Sequence, residues 1–158
     1  MAIYFFDSSA LAKKHIAETG TVWVRRLFND VPPHEIYVSR LTEVEVAAAL
    51  ARRKKGGSLS AGNAALALQQ LRNDFLTRYR ILEINSLVTA QAITLTEIYA
   101  LRGYDAMQLA SALRIRNRLL ALGVNLTVLP FTLVSADDEL NTAALAENLS
   151  VENPNYYP

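Results

Sequence analysis

Short runs of aromatic and β-branched residues alternate along the chain with longer segments of helical periodicity, and this alternation limits the possible folds. The apolar runs predict strands over 2–6, 36–38, 79–84, 131–134 and 149–152. The periodic segments predict helices over 8–17, 21–29, 41–54, 61–78, 87–101, 104–120 and 138–147. Because strands that alternate with helices form parallel β-α units, we expect an α/β fold whose parallel sheet is covered by helices on both faces.

The length and composition of the chain indicate one globular domain. Of the 158 residues, 51% are hydrophobic and 20% are charged, and neither a repeat nor a long linker divides them. We therefore predict a single domain over 1–158 with an irregular tail over 152–158. The N-terminus lacks the basic start of a signal peptide and the chain contains no cysteine, so we expect a cytoplasmic protein without a membrane span.

Two acidic residues come just after predicted strands. Asp7 follows the strand that ends at Phe6, and Asp137 follows the strand that ends at Val134, after two small residues. In parallel sheets covered by helices, ligands bind at the carboxyl ends of the strands, where the next helix begins. We therefore expect both carboxylates at the functional edge of the sheet.

Two further acidic residues lie in the early turns of predicted helices. Asp105 shares a helical face with Gln108, three residues later, and with small and apolar residues. Glu45 lies on the apolar side of its helix, whereas Glu43 points roughly 200° away from it and is expected to face solvent. Glu45 is therefore the preferred inward carboxylate of this segment, and Glu43 is the alternative.

Each of these carboxylates also has a purely structural interpretation, because acidic residues commonly cap helix N-termini. Thr42-x-x-Glu45, for example, matches a capping box. A joint site would need a cation, since carboxylates about 4 Å apart repel by roughly 4 kcal/mol per pair. Mg²⁺ or Mn²⁺ suits such oxygen ligands, and either ion can activate water for phosphodiester hydrolysis.

Four acidic motifs follow one another in order over nearly the whole chain. They are Phe6-Asp7-Ser8-Ser9-Ala10-Leu11, Val44-Glu45-Val46-x-x-Ala49-Leu50, Tyr104-Asp105-Ala106-Met107-Gln108-Leu109-Ala110 and Val134-Ser135-Ala136-Asp137. This ordered set resembles the acidic motifs of PIN-domain proteins, in particular VapC-type toxins. The resemblance implies a three-layer α/β/α domain that acts as a Mg²⁺- or Mn²⁺-dependent RNA endonuclease.

The resemblance also implies roles for individual residues. Asp7 and Asp105 would bind the metal directly, and Glu45 and Asp137 would complete the pocket, directly or through metal-bound water. Ser9 matches a hydroxyl that orients the first acid, although it could equally be an ordinary residue of a first helical turn.

The chain departs from the family pattern at Gln108, where many relatives carry histidine. At the last motif Asp138 stands beside Asp137, and it would be the fourth acid if the strand ended one residue later. A PIN-like fold that binds RNA or a protein partner, with weak or no catalysis, is therefore the alternative function. A haloacid-dehalogenase-like phosphatase is disfavoured, because it would need a second acid where Ser9 stands.

Partners follow from the resemblance and from charge. VapC-type proteins imply an RNA substrate, a cognate antitoxin that blocks the acidic pocket, and a homodimer. The net charge of +1 does not by itself indicate nucleic-acid binding. Candidate phosphate contacts are Lys13, Lys14, the basic run 52–55 and the arginines at 114, 116 and 118, although most charged runs are simply solvated helix faces.

Overall fold

The predicted strands and helices are all present in the computed structural model, which describes residues 1–157. The strands are β1 (Ile3–Phe6), β2 (Glu35–Ser39), β3 (Arg80–Leu82), β4 (Phe131–Val134) and β5 (Ser150–Glu152). The helices are α1 (Ser8–His15), α2 (Thr21–Asn29), α3 (Arg40–Lys55), α4 (Ala61–Thr77), α5 (Ser86–Tyr99), α6 (Gly103–Ala121) and α7 (Asp138–Ala146). No helix within residues 1–157 combines the length and the apolar character needed to cross a membrane.

The strands form one parallel sheet in the order β3-β2-β1-β4-β5. Neighbouring side chains of β1 point to opposite faces, because successive residues of a strand alternate. Phe5 packs with residues of α5, α6 and α7, whereas Phe6 packs with residues of α1 to α4. Both faces of the central strand are therefore buried, which explains its uninterrupted apolar sequence and confirms the three-layer α/β/α architecture.

The order of the sheet determines where a ligand site can form. β1 lies between β2 and β4, and the chain runs from β1 to β2 on one side before it returns to β4 on the other. Phe6 pairs with Val134, and the backbone N–H of Asp7 donates to the carbonyl of Val134 at 3.0 Å. The segments after β1 and β4 therefore leave the sheet side by side at a topological switch point, where doubly wound folds bind their ligands.

The C-terminal tail differs from the prediction of an irregular segment over 152–158. Glu152 belongs to β5, and a short 3-10 helix spans Pro154–Tyr156. Tyr157 stacks on Trp23 with ring centroids 4.4 Å apart, and its hydroxyl donates to Glu152 at 2.6 Å. Aromatic packing against α2 orders the tail, and Pro158 lies outside the described residues.

Candidate active site

Asp7 is the most deeply buried acid of the candidate site, with 3% of its surface exposed, and it caps the N-terminus of α1. Its Oδ2 atom accepts hydrogen bonds from the backbone N–H and the hydroxyl of Ser9, and from the hydroxyl of Ser135 at 3.1 Å. Burial raises the pKa of Asp7, and these hydrogen bonds oppose the increase. The carboxylate is therefore held in place by neutral donors that leave its charge uncompensated.

Two serine hydroxyls connect the start of α1 to the loop after β4. The Ser9 hydroxyl accepts a hydrogen bond from the Ala136 N–H at 2.9 Å, and the Ser135 hydroxyl accepts one from the Asp137 N–H at 3.1 Å. Asp137 in turn caps α7, its Oδ1 accepting from the Leu140 N–H at 2.8 Å. The Ser9 and Ser135 hydroxyls thus fix both acids that follow strands, Asp7 and Asp137. Ser9 was predicted as a supporting residue from the sequence, and Ser135 was not.

Asp105 lies in the first turn of α6 and is partly buried. Burial raises its pKa to about 6, and the negative charges of Asp137, Asp7 and Glu45 add to the increase. The structure therefore brings together all four acids that the motifs singled out, close enough for their charges to act on Asp105.

Gln108 positions Glu45 from the neighbouring helix. Its side-chain amide nitrogen donates to the Glu45 Oε2 atom at 2.7 Å and to the Thr42 hydroxyl at 3.0 Å, and only 1% of Gln108 is exposed. Burial raises the pKa of Glu45, the Gln108 bond opposes this, and the charge of Asp7 raises it further. Gln108 is thus a neutral amide that joins α6 to α3.

The two alternative acids, Glu43 and Asp138, have partners outside this cluster. Glu43 forms an ion pair with Arg40 at 3.0 Å, and Arg40 also binds Glu83. Asp138 is exposed and accepts a hydrogen bond from the side-chain amide of Asn153 at 2.9 Å. Of the two alternative acids in each of the second and fourth motifs, the structure places Glu45 and Asp137 in the cluster.

Two of the candidate phosphate contacts are not available to a ligand. Lys13 and Lys14 are 5% and 7% exposed, so the interpretation of these two lysines as phosphate contacts is wrong. Lys13 pairs with Glu18 at 3.1 Å, and Lys14 pairs with Asp74. These two ammonium groups instead hold α1 to neighbouring segments of the domain.

The cluster consists of oxygen donors that suit a hard divalent cation. Asp7, Glu45, Asp105 and Asp137 form no ion pair with a basic side chain among residues 1–157. Over the same residues, no three acidic or histidine side chains are close enough to share one ion as they stand. Mg²⁺ binds few protein carboxylates and keeps several waters, so the donor chemistry of the cluster suits this ion although its acids do not converge on one position.

Comparison with known proteins agrees with this geometry. The sequence model of the family described as PIN domain matches residues 4–144, a segment that includes all four clustered acids. The chain belongs to the PIN domain family. A relative of this PIN domain, Ribonuclease VapC45 of Mycobacterium tuberculosis, is 35% identical over 115 residues, which cover 73% of this chain and 78% of the relative.

Solved structures share the fold of this PIN domain at low sequence identity. Mycobacterium tuberculosis VapC20, described as a sarcin-ricin loop cleaving toxin, has a TM-score of 0.61 and 19% identity over 89% of this chain and 94% of its own. A toxin-antitoxin complex from Klebsiella pneumoniae contains a chain with a TM-score of 0.60 and 20% identity, over 98% of both chains. At these identities the likeness shows the fold alone.

Proposed function

We propose that this chain is a metal-dependent RNA endonuclease and the toxin of a toxin-antitoxin pair. The observation that carries the proposal is that Asp7 and Asp137 follow neighbouring strands at the carboxyl edge of the sheet, near enough to Asp105 to raise its pKa together with Glu45. None of the four carboxylates forms an ion pair within residues 1–157. The 35% identity to a protein named Ribonuclease VapC45 supports RNA as the substrate. A cytoplasmic RNA would be the target.

Each acid has a position that suits a distinct task. Asp7 and Asp105 would hold Mg²⁺ or Mn²⁺, and Glu45 and Asp137 would bind it directly or orient its waters. The bound ion would supply an activated water and stabilise the developing charge on the scissile phosphate. Ser9, Ser135 and Gln108 restrict the side chains of these acids, so that less reorganisation is needed when RNA binds.

Glu45 is suited to accept a proton from the attacking water. Burial raises its pKa above that of an ordinary glutamate, and Gln108 restrains one of its two oxygens, Oε2. The general-base role would then fall on Oε1. This assignment uses Gln108 as an orienting group and needs no imidazole.

A protein partner would bind over the same cluster. Within residues 1–157 no basic side chain pairs with the four acids, so a cationic side chain from a second protein would be stabilised there. The Klebsiella pneumoniae chain of similar fold belongs to a complex described as toxin-antitoxin. We therefore propose a cognate antitoxin as partner, and a homodimer as the assembly that it binds.

Cleavage assays with the purified protein test the proposal. Mixed structured RNAs are incubated with Mg²⁺, with Mn²⁺ and with EDTA, using the wild type, Asp7→Asn and Glu43→Gln. We expect metal-dependent cleavage that Asp7→Asn abolishes and Glu43→Gln retains, because Glu43 pairs with Arg40 outside the cluster. Cleavage that persists in EDTA or in Asp7→Asn would contradict the proposal.

A second candidate function is a PIN-fold module that binds RNA or a protein without cutting. It is favoured by Gln108 and by the absence, within residues 1–157, of three acids close enough to share one ion. Wild-type protein that binds RNA tightly, but leaves it intact with either metal, would establish this alternative.

A further inference from the structure

A groove opens directly beside the acidic cluster, between α1 and the C-terminal half of α3. Its volume is about 510 Å³, and its lining includes Ser9 and Ala136. These are the residues whose hydrogen bond joins the ends of β1 and β4 next to Asp7. One end of the groove therefore lies beside Asp7, whose carboxylate accepts hydrogen bonds from Ser9.

The charged side chains that line the groove are Lys13, Arg52, Arg53 and Glu18. They differ in whether they form ion pairs with one another. Glu18 pairs with Lys13 at 3.1 Å and with Arg53 at 2.7 Å. Arg52 is exposed and has no ion-pair or hydrogen-bond partner for its guanidinium among residues 1–157. It is thus the cation of this groove whose charge is available to a ligand.

Arg52 lies on the same face of α3 as Glu45. The two residues are seven positions apart, which corresponds to two helical turns and about 10 Å along the axis. A strand that reaches the cluster through the groove would pass the Arg52 guanidinium.

We propose that this groove binds the RNA backbone beside the scissile phosphate and that Arg52 contacts a neighbouring phosphate. The planar guanidinium donates paired hydrogen bonds that match phosphate oxygens, without reading the base sequence. This subsite deepens the proposed function and rests on it, since it assumes that RNA is the ligand. Arg52 holds the strand, while the acids perform the cleavage.

The direct test is RNA binding in EDTA, where no cleavage occurs. The wild type, Arg52→Gln and Arg72→Gln are titrated with an end-labelled single-stranded RNA at salt concentrations of about 50 to 200 mM. Arg72 is the matched control, because it is an exposed arginine of α4 outside the groove. We expect Arg52→Gln to weaken binding about tenfold and to reduce the slope of log affinity against log salt by about 0.7, and Arg72→Gln to bind like the wild type.

A second measurement separates a phosphate contact from an effect of Arg52 on Glu45. In Mg²⁺, Arg52→Gln should raise KM about tenfold and leave kcat within about twofold, and Arg52→Lys should recover part of the loss. A variant that changes kcat or the pH profile alone, with wild-type affinity and salt slope, would overturn the proposal. Thermal unfolding checks that each variant is folded.

The outcomes distinguish failure of the subsite from failure of the nuclease. Equal RNA affinities for all three proteins would overturn the subsite, even if the wild type cleaves RNA. A wild type that never cleaves, together with the predicted loss of binding in Arg52→Gln, would refute the nuclease and retain the subsite. If Arg52→Gln weakened only the binding of an acidic protein segment, RNA would be the wrong occupant.

Discussion

Asp105→Asn tests whether burial and the neighbouring acids together destabilise the charged form of Asp105 in the folded protein. Burial, and after it the charges of Asp137, Asp7 and Glu45, raise the pKa of Asp105 from 3.8 to about 6. One unit of pKa difference between the folded and unfolded protein corresponds to about 1.4 kcal/mol, which gives at most roughly 3 kcal/mol. Because Asp105 is only partly buried, solvent screening reduces the expected effect to about 1 to 2 kcal/mol.

The sign of the stability difference between Asp105→Asn and the wild type follows from proton binding. A raised pKa means that the folded protein binds this proton more tightly than the unfolded chain does. The Asp105 contribution to the free energy of unfolding therefore falls as the pH rises from 3.8 to about 6, and stays lowered above that range. Asparagine has no such proton, so without metal we expect the variant to be more stable than the wild type near neutral pH and equal to it at about pH 4.

Thermal unfolding in EDTA measures this difference. At about pH 8 the melting temperature of Asp105→Asn should exceed that of the wild type by about 3 to 6 °C, and RNA cleavage in Mg²⁺ should be lost. Glu43→Gln is the control, because Glu43 is paired with Arg40 and its removal should not stabilise the protein. A lower melting temperature for Asp105→Asn, or a difference that does not change with pH, would refute the reasoning.

Three further substitutions test contacts that only the structure shows. Gly20→Ala should lower the free energy of unfolding, measured by chemical denaturation, by about 2 kcal/mol or more, because φ is +86° and the new Cβ would lie 2.3 Å from the Pro154 carbonyl oxygen. Gly57→Ala is the control, since Gly57 has φ +77° but lies in open space, and it should cost only about 1 kcal/mol. Asp74→Ala should cost about 3 kcal/mol in the same assay, because it leaves the buried Lys14 ammonium without its carboxylate, and a wild-type denaturation midpoint would contradict this. Ser135→Ala should move the acidic limb of the pH profile for cleavage to higher pH, because it removes a hydrogen bond that lowers the pKa of Asp7. An unchanged profile would show that the Ser135 hydroxyl does not control the pKa of this carboxylate.

Local pattern in the sequence was sufficient to predict the elements and the candidate acids. Strand and helix periodicities depend on residues a few positions apart, and every predicted element is present with ends shifted by at most two residues. Asp7 and Asp137 could be singled out because Asp7 follows one apolar run directly and Asp137 follows another after two small residues. Their place at one edge then required only that the strands be parallel, which the alternation with helices indicated.

The hydrogen-bond network around the acids could not be predicted in the same way. The contact of Ser135 with Asp7 joins residues 128 positions apart, and that of Gln108 with Glu45 joins residues 63 apart. Such contacts depend on which strands are neighbours in the sheet and on which helices cover each face. A hydroxyl immediately after a predicted strand was the one signal that could have pointed to Ser135.

The sequence by itself determined the three-layer fold and the places of Asp7 and Asp137, because these follow from short-range periodicity and from the position of charges after strands. Glu45 and Asp105 were singled out by their places in early helical turns and by the resemblance to PIN-domain motifs. Only the tertiary structure decided which charges remain available. It buried Lys13 and Lys14 in ion pairs, assigned Glu43 to Arg40, and left Arg52 exposed in the groove beside the cluster. The reason is physical: whether a charge is solvated, paired or free depends on neighbours that folding brings from distant parts of the chain.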